Sequence, residues 1–132
     1  MMVVDASIIV RLLANRPADE DLRGRFAVLH TVHAPHLIDS EVASATRGLL
    51  LGGRITLPRA VEMLADFAGL RIKRYPMHTH LSRVIELRNN LTAYDAAYVA
   101  LAEMLRMPLL TQDPKLGRTS GRDAEVQLYR AR

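Results

Sequence analysis

Apolar positions along the chain switch repeatedly between a short-run pattern and a helical one. Met2-Val3-Val4 is an apolar run ended by Asp5, and Ser7-Ile8-Ile9-Val10-Arg11-Leu12-Leu13 follows at once. This predicts a strand running directly into a helix. Pro17 opens a second helical segment, with Leu22, Phe26 and Leu29 three or four residues apart. Residues 31–35 form a second strand candidate. Residues 38–51 read as a helix closed by Gly52-Gly53. Thr56 and Pro58 open another, with Ala60, Met63, Leu64 and Phe67 on one face and Gly69 at its end. Residues 70–75 predict a strand stopped by Pro76, and residues 80–89 a helix. Residues 92–107 give the strongest helical pattern of all. Pro108-Leu109-Leu110-Thr111 is a strand with an Asp113-Pro114 turn after it, and residues 126–129 are a last strand. Strands alternating with helices predict an α/β domain, with a central, mainly parallel sheet flanked by helices.

Composition narrows the classes. A chain of 132 residues suits a single domain, residues 1–132, burying roughly 68% of its unfolded surface without disulfide or structural metal. There is no cysteine, which excludes disulfides, thiolate zinc sites, iron–sulfur clusters and cysteine nucleophiles. No apolar stretch is long enough to span a bilayer. The start Met1-Met2-Val3-Val4-Asp5 has no basic region and meets an acid immediately, so no signal peptide is expected. A reducing cytoplasm fits these features. Lys and Arg number 18 against 14 Asp and Glu, a net +4. All but Lys73 and Lys115 of the basic residues are arginine. Arginine's planar fork suits phosphate, which makes nucleic acid a reasonable partner; a GC-rich coding bias explains the same excess.

Four acids stand apart from those on polar faces. Asp5 ends the first strand, and Asp113 follows the fourth by two residues. In a parallel sheet both then lie at the edge where ligands collect. Helix capping and an Asp-Pro turn are the plainer readings of each alone. Glu41 shares a helical stripe with Ala45, Gly48 and Leu49, a costly place for a carboxylate unless it is paired or bound to metal. Asp95 precedes an uncharged segment, residues 96–102, although Thr92-Ala93-Tyr94-Asp95 is also a capping box. Asp19, Glu20 and Asp21 read instead as solvated acids in the first turn of a helix. Taken together, four carboxylates are hard oxygen donors of the kind Mg²⁺ and Mn²⁺ prefer. Setting them aside leaves a body of +8, with 18 basic against 10 acidic residues.

These residues carry a resemblance. Met2-Val3-Val4-Asp5-Ala6-Ser7, Glu41, the run Thr92-Ala93-Tyr94-Asp95-Ala96-Ala97-Tyr98-Val99-Ala100-Leu101-Ala102, and Leu109-Leu110-Thr111-Gln112-Asp113 resemble the PIN domain. The match is to its toxin branch, the VapC ribonucleases of prokaryotic VapBC toxin–antitoxin pairs, and extends over the whole chain in order and spacing. The resemblance implies a three-layer α/β/α fold. It implies that Asp5, Glu41, Asp95 and Asp113 are the catalytic metal ligands for one or two Mg²⁺ or Mn²⁺ ions, supported by hydrogen bonds from Ser7 and Thr111. It implies endonucleolytic RNA hydrolysis by metal-activated water, a VapB-type antitoxin, a homodimer, a prokaryotic cytoplasmic setting and no nucleotide cofactor. Asp39 is kept outside that set, as a supporting or capping residue.

Other features point elsewhere. His30, His33 and His36 are spaced like a metal triad, but Pro35 interrupts them and surface or turn positions are expected. Arg47, Arg54, Arg59, Arg71, Arg74, Arg118 and Arg122 are candidates for a phosphate-binding rim, each more simply solvated. The Met63, Leu64 and Phe67 stripe reads as core, and the resemblance adds an antitoxin contact as a second role. The competing function is a catalytically inactive PIN-like module that binds RNA or protein. A phosphoacceptor or phosphatase is weaker, because Asp5 is followed by Ala6-Ser7 rather than a second aspartate.

Overall fold

The computed structural model describes residues 1–118 and 122–131. Five strands form one sheet: β1 (Val3–Val4), β2 (Val32–Pro35), β3 (Ile72–Tyr75), β4 (Leu109–Thr111) and β5 (Val126–Leu128). Their order is β3-β2-β1-β4-β5, and every neighbouring pair is parallel. The chain builds outward from β1 through β2 to β3, then crosses to the other side of β1 for β4. The direction therefore reverses between β1 and β4, and in parallel sheets ligands bind beyond the strand ends at such a reversal.

The helices are α1 (Ala6–Ala14), α2 (Glu20–Leu29), α3 (Leu37–Leu51), α4 (Leu57–Gly69), α5 (Leu81–Glu86), α6 (Ala93–Leu105) and α7 (Pro114–Arg118). Helices α1, α3 and α4 pack on one another, while α6 packs on α5 and against β1, β2 and β4. The result is the three-layer α/β/α arrangement that the resemblance implies. Helix α6 is buried from Ala96 to Ala102, so it is apolar all round, as a helix enclosed by its neighbours must be. The side chains of Val3, Val4, Ile8, Ile9, Leu101, Leu109 and Leu110 join this helix and the central strands in one core. Among the described residues no helix is long and apolar enough to cross a membrane.

Several expectations need correction. Asp113-Pro114 does not simply turn; Pro114 starts α7, where its lost N–H would have been unbonded anyway. The helix expected over residues 80–89 is shorter, a 3₁₀ turn followed by α5. On α4 the buried face is Ala60, Met63 and Phe67, while Leu64 is exposed. His33 is buried within β2, its Nδ1 2.8 Å from Tyr75 Oη. Of the three histidines expected at surface or turn positions, only His30 and His36 are exposed.

The largest correction concerns Asp19, which is fully buried rather than solvated. Its Oδ1 accepts from Arg11 Nε (3.2 Å) and from the Tyr129 hydroxyl (2.7 Å), joining residues 110 positions apart. A carboxylate removed from water requires such partners. Asp39, by contrast, pairs with Arg74 at the surface (2.8 Å) and touches none of the four candidate acids. Replacing Asp19 by Ala strands the Tyr129 hydroxyl and the Arg11 guanidinium, and is expected to cost about 2–3 kcal/mol. Asp39→Ala removes an exposed pair and should cost less than about 1 kcal/mol. Urea denaturation of the two variants tests the ranking, and equal losses would contradict it.

Candidate active site

Each predicted acid is placed by a different element. Asp5 follows β1 and caps α1, its Oδ1 accepting from Ile8 N–H at 3.3 Å. Ser7 Oγ donates to the same oxygen, and Thr111 Oγ1, at the end of β4, donates to Asp5 Oδ2. Thr111 Oγ1 also accepts from Asp113 N–H at 3.1 Å. One hydroxyl thus ties the acid after β1 to the acid after β4. Glu41 comes from the first half of α3, where its Oε1 accepts from Tyr98 Oη on α6 at 2.5 Å. Asp95 sits in the first turn of α6. Its N–H donates to the N-cap Thr92 Oγ1 at 3.2 Å, so the capping role predicted for this segment is real and coexists with the pocket.

All four acids line one open cavity of about 410 Å³, with Ser7, Tyr98 and Gln112. The supporting positions therefore fall as the sequence places them, Ser7 and Thr111 both on Asp5. Glu41 belongs here for another reason than its sequence stripe. Ala45 and Gly48 are exposed, and the buried stripe of α3 is Ile38, Val42 and Thr46. Glu41 lies beside that stripe, half-buried at the cavity. Sequence reasoning missed Tyr98 and Gln112. The signal for Tyr98 was its position three residues after Asp95, which puts both on one helical face. None of the seven arginines considered for a phosphate rim lines the cavity. Arg59 pairs with Glu62, Arg74 with Asp39, and Arg122 holds main-chain carbonyls.

Electrostatics mark the cavity as a place short of positive charge. Burial raises the Asp5 pKa above the ordinary 3.8, with the Asp95 charge adding to it, against the hydrogen bonds from Ser7, Thr111 and Ile8. Burial likewise raises Glu41 above 4.5, helped by the Asp95 and Asp5 charges and opposed by the Tyr98 hydrogen bond. Asp95 is raised by burial and by Asp113, with Lys115 and Thr92 opposing. The Tyr98 hydroxyl is pushed far up, first by burial and then by Glu41, so it remains a donor. Strong perturbation by burial plus neighbouring charge in a cleft is a mark of functional sites. The donors are all oxygen, the chemistry of a hard divalent cation. Among the described residues no group of three or more of them is gathered closely enough to hold a metal ion by itself; Mg²⁺ keeps several waters and takes only one or two carboxylates.

Comparison with known proteins agrees with this geometry. The model of the PIN domain family matches residues 2–122, which fixes the class. Ribonuclease VapC12 of Mycobacterium tuberculosis is 37% identical over 128 residues, covering 97% of this chain and 98% of that protein. Ribonuclease VapC9 of the same organism is 41% identical over 119 residues, covering 90% and 91%. The structure of VapBC2 from Rickettsia felis, bound to a DNA fragment from their promoter, matches with a TM-score of 0.74 at 13% identity, over 96% of this chain and 97% of that one. The chain belongs to the PIN-domain family, in the branch of the VapC ribonucleases.

A carboxyl whose folded pKa is raised stabilises the fold fully below its unfolded pKa, and that contribution is lost as pH rises through the folded value. At neutral pH, without metal, the ionised cavity acids therefore oppose folding. Asp95→Asn removes one such charge and keeps the shape. In EDTA at pH 7 it should be more stable than wild type by about 1 kcal/mol, allowing for solvent screening. The gap should narrow as pH falls toward 3.8, the ordinary value for this group. Urea denaturation as a function of pH checks both the sign and the trend.

Proposed function

We propose that the protein is the toxin of a type II toxin–antitoxin pair, an Mg²⁺- or Mn²⁺-dependent endoribonuclease whose site is Asp5, Glu41, Asp95 and Asp113. The observation that carries this reading is the convergence of four carboxylates from β1, α3, α6 and β4 on one cavity at the sheet's reversal point. Asp5, Glu41, Asp95 and Asp113 would hold one or two cations between them. A bound cation supplies a water of lowered pKa and stabilises charge developing on the phosphoryl and leaving oxygens.

The protein's own residues do the rest. Ser7 and Thr111 fix both oxygens of Asp5, so the carboxylate is held in one orientation before any ligand arrives. Tyr98 does the same for Glu41. Such preorganisation matters because misplacement by about 1 Å can cost about a hundredfold in rate. The body of +8 outside the site draws the RNA backbone toward a cavity that its own −4 would otherwise repel. The relatives named as VapC ribonucleases, and the neighbour solved as a VapBC complex, support an antitoxin of the VapB kind, and a cytoplasmic setting rests on the family resemblance. A homodimer rests on the family resemblance.

Purified protein with Mg²⁺ is expected to cut bulk transfer or ribosomal RNA at discrete positions, read by mapping the new ends. Asp95→Asn or Asp5→Asn should lower cleavage at least a hundredfold, and EDTA should abolish it with recovery on adding Mn²⁺. Wild-type rates from Asp95→Asn would sink the assignment. RNA binding with no cleavage at any metal concentration would favour the alternative of an inactive PIN-like module, against which the intact set of four acids argues.

A further inference from the structure

Gln112 lies between Thr111 and Asp113 and lines the acidic cavity. Its side chain is not loose. Arg11 Nη1 donates to Gln112 Oε1 at 2.9 Å, from 101 residues away. Arg11 is itself anchored on its other edge, where Nε and Nη2 meet the buried Asp19 Oδ1 at 3.2 and 3.1 Å. Its guanidinium lies 5.6 Å from the centre of the Tyr129 ring, and the Tyr129 hydroxyl donates to the same Asp19 oxygen. A relay thus runs from Tyr129 through Asp19 and Arg11 to Gln112 in the cavity wall.

The relay decides which end of the amide is free. An arginine has donors alone, so it must take the carbonyl oxygen of Gln112. The amide Nε2, with two hydrogens, is left over, and among the described residues nothing accepts from it. The cavity's other side-chain donors are spent: Ser7 gives its hydrogen to Asp5, and Tyr98 gives its own to Glu41. The remaining polar groups are carboxylates, which accept. Among the described residues that line the cavity, Gln112 therefore carries the one neutral side-chain donor available to an anionic ligand.

We propose that Gln112 contacts the substrate, its Nε2 donating to a phosphate oxygen of the bound RNA, and that Arg11 is the residue that positions it. This rests on the ribonuclease reading of the same cavity. It adds a specific contact that the four acids, being negative, are unable to make. An amide donor tolerates neighbouring carboxylates without pairing off with them as tightly as a guanidinium would, so it stays available.

The test uses the full chain and a labelled RNA spanning a mapped cleavage site. Gln112→Met keeps the length of the side chain and removes the donor. It should raise KM about tenfold, the loss of one hydrogen bond to a charged group, with kcat changed less than about threefold. With Asp95→Asn added to stop cleavage, Kd for the same RNA by fluorescence anisotropy should rise by the same factor. Gln112→Glu, which adds a fifth carboxylate, should bind more weakly still. Arg11→Lys keeps a cation beside Asp19 but is unable to fork to both partners. It should show the same KM rise as Gln112→Met, and the double variant should show no further loss, as residues acting as one unit do. Thermal unfolding checks that each variant is folded, and a merely structural role for Arg11 would give additive losses. Unchanged KM and Kd in Gln112→Met, or a shift in the position cut with KM unaltered, would overturn the proposal while leaving the ribonuclease reading in place. A wild-type protein that neither cleaves nor binds RNA would overturn both.

Discussion

The hydrogen bond from Thr111 to Asp5 joins the two central strands at the point where the sheet changes direction. Much else depends on it. Asp5 is 8% exposed, and a carboxylate so placed is tolerable only if its oxygens are satisfied. Ser7, Ile8 and Thr111 satisfy them, and in doing so they set the start of α1 and the end of β4 against one atom group. Thr111 then orients the Asp113 backbone. The site is therefore not laid on top of a finished fold. The cap of the first helix, the seam between β1 and β4 and the floor of the cavity are the same few hydrogen bonds.

That economy explains why the sequence is informative about both fold and site. Elements whose signal is local are legible: the apolar runs of β1 and β4, the Thr92 cap, the closing glycines after α3. The sheet is parallel because strands alternate with helices, which leaves no short hairpin to reverse a strand. Asp5 and Asp113 follow strands, so their common edge comes from topology alone. Asp95 was doubly marked, by its cap and by the uncharged run after it.

What was not legible depends on pairing between distant parts of the chain. Asp19 looks like an ordinary first-turn acid, and nothing near it in the sequence announces Arg11 from α1 or Tyr129 from just after β5. Glu41 was singled out on a stripe that is in fact exposed at Ala45 and Gly48; the helix is rotated about one position from the expected register. Its true partner, the Tyr98 hydroxyl, comes from α6, and periodicity within α3 has no access to it. Gln112 was hidden in plain view between two residues of the motif, because a neutral amide carries no signal until a partner fixes its direction.

The placement of the arginines sharpens the meaning of the net charge. Arg59, Arg74 and Arg83 are occupied with Glu62, Asp39 and Glu103, and Arg11 reaches the cavity through an amide rather than with its own charge. Among the described residues no lysine or arginine lines the cavity, so under the proposed function the basic excess would act as a field over about the Debye length of 8–10 Å rather than as contacts beside the four acids. A guanidinium inside the cavity would neutralise one carboxylate and fill the space a nucleotide needs. Leaving the acids uncompensated costs stability, as their raised pKa values record. Under the proposed function the same deficit would favour small, highly charged cations, since two of them would balance −4 without filling about 410 Å³. An open donor set also leaves coordination positions for substrate phosphate. Under the proposed function, stability given up at the strand ends is thus what leaves room for ion and RNA together, while beside the cavity the buried Asp19 ties Arg11 to Tyr129.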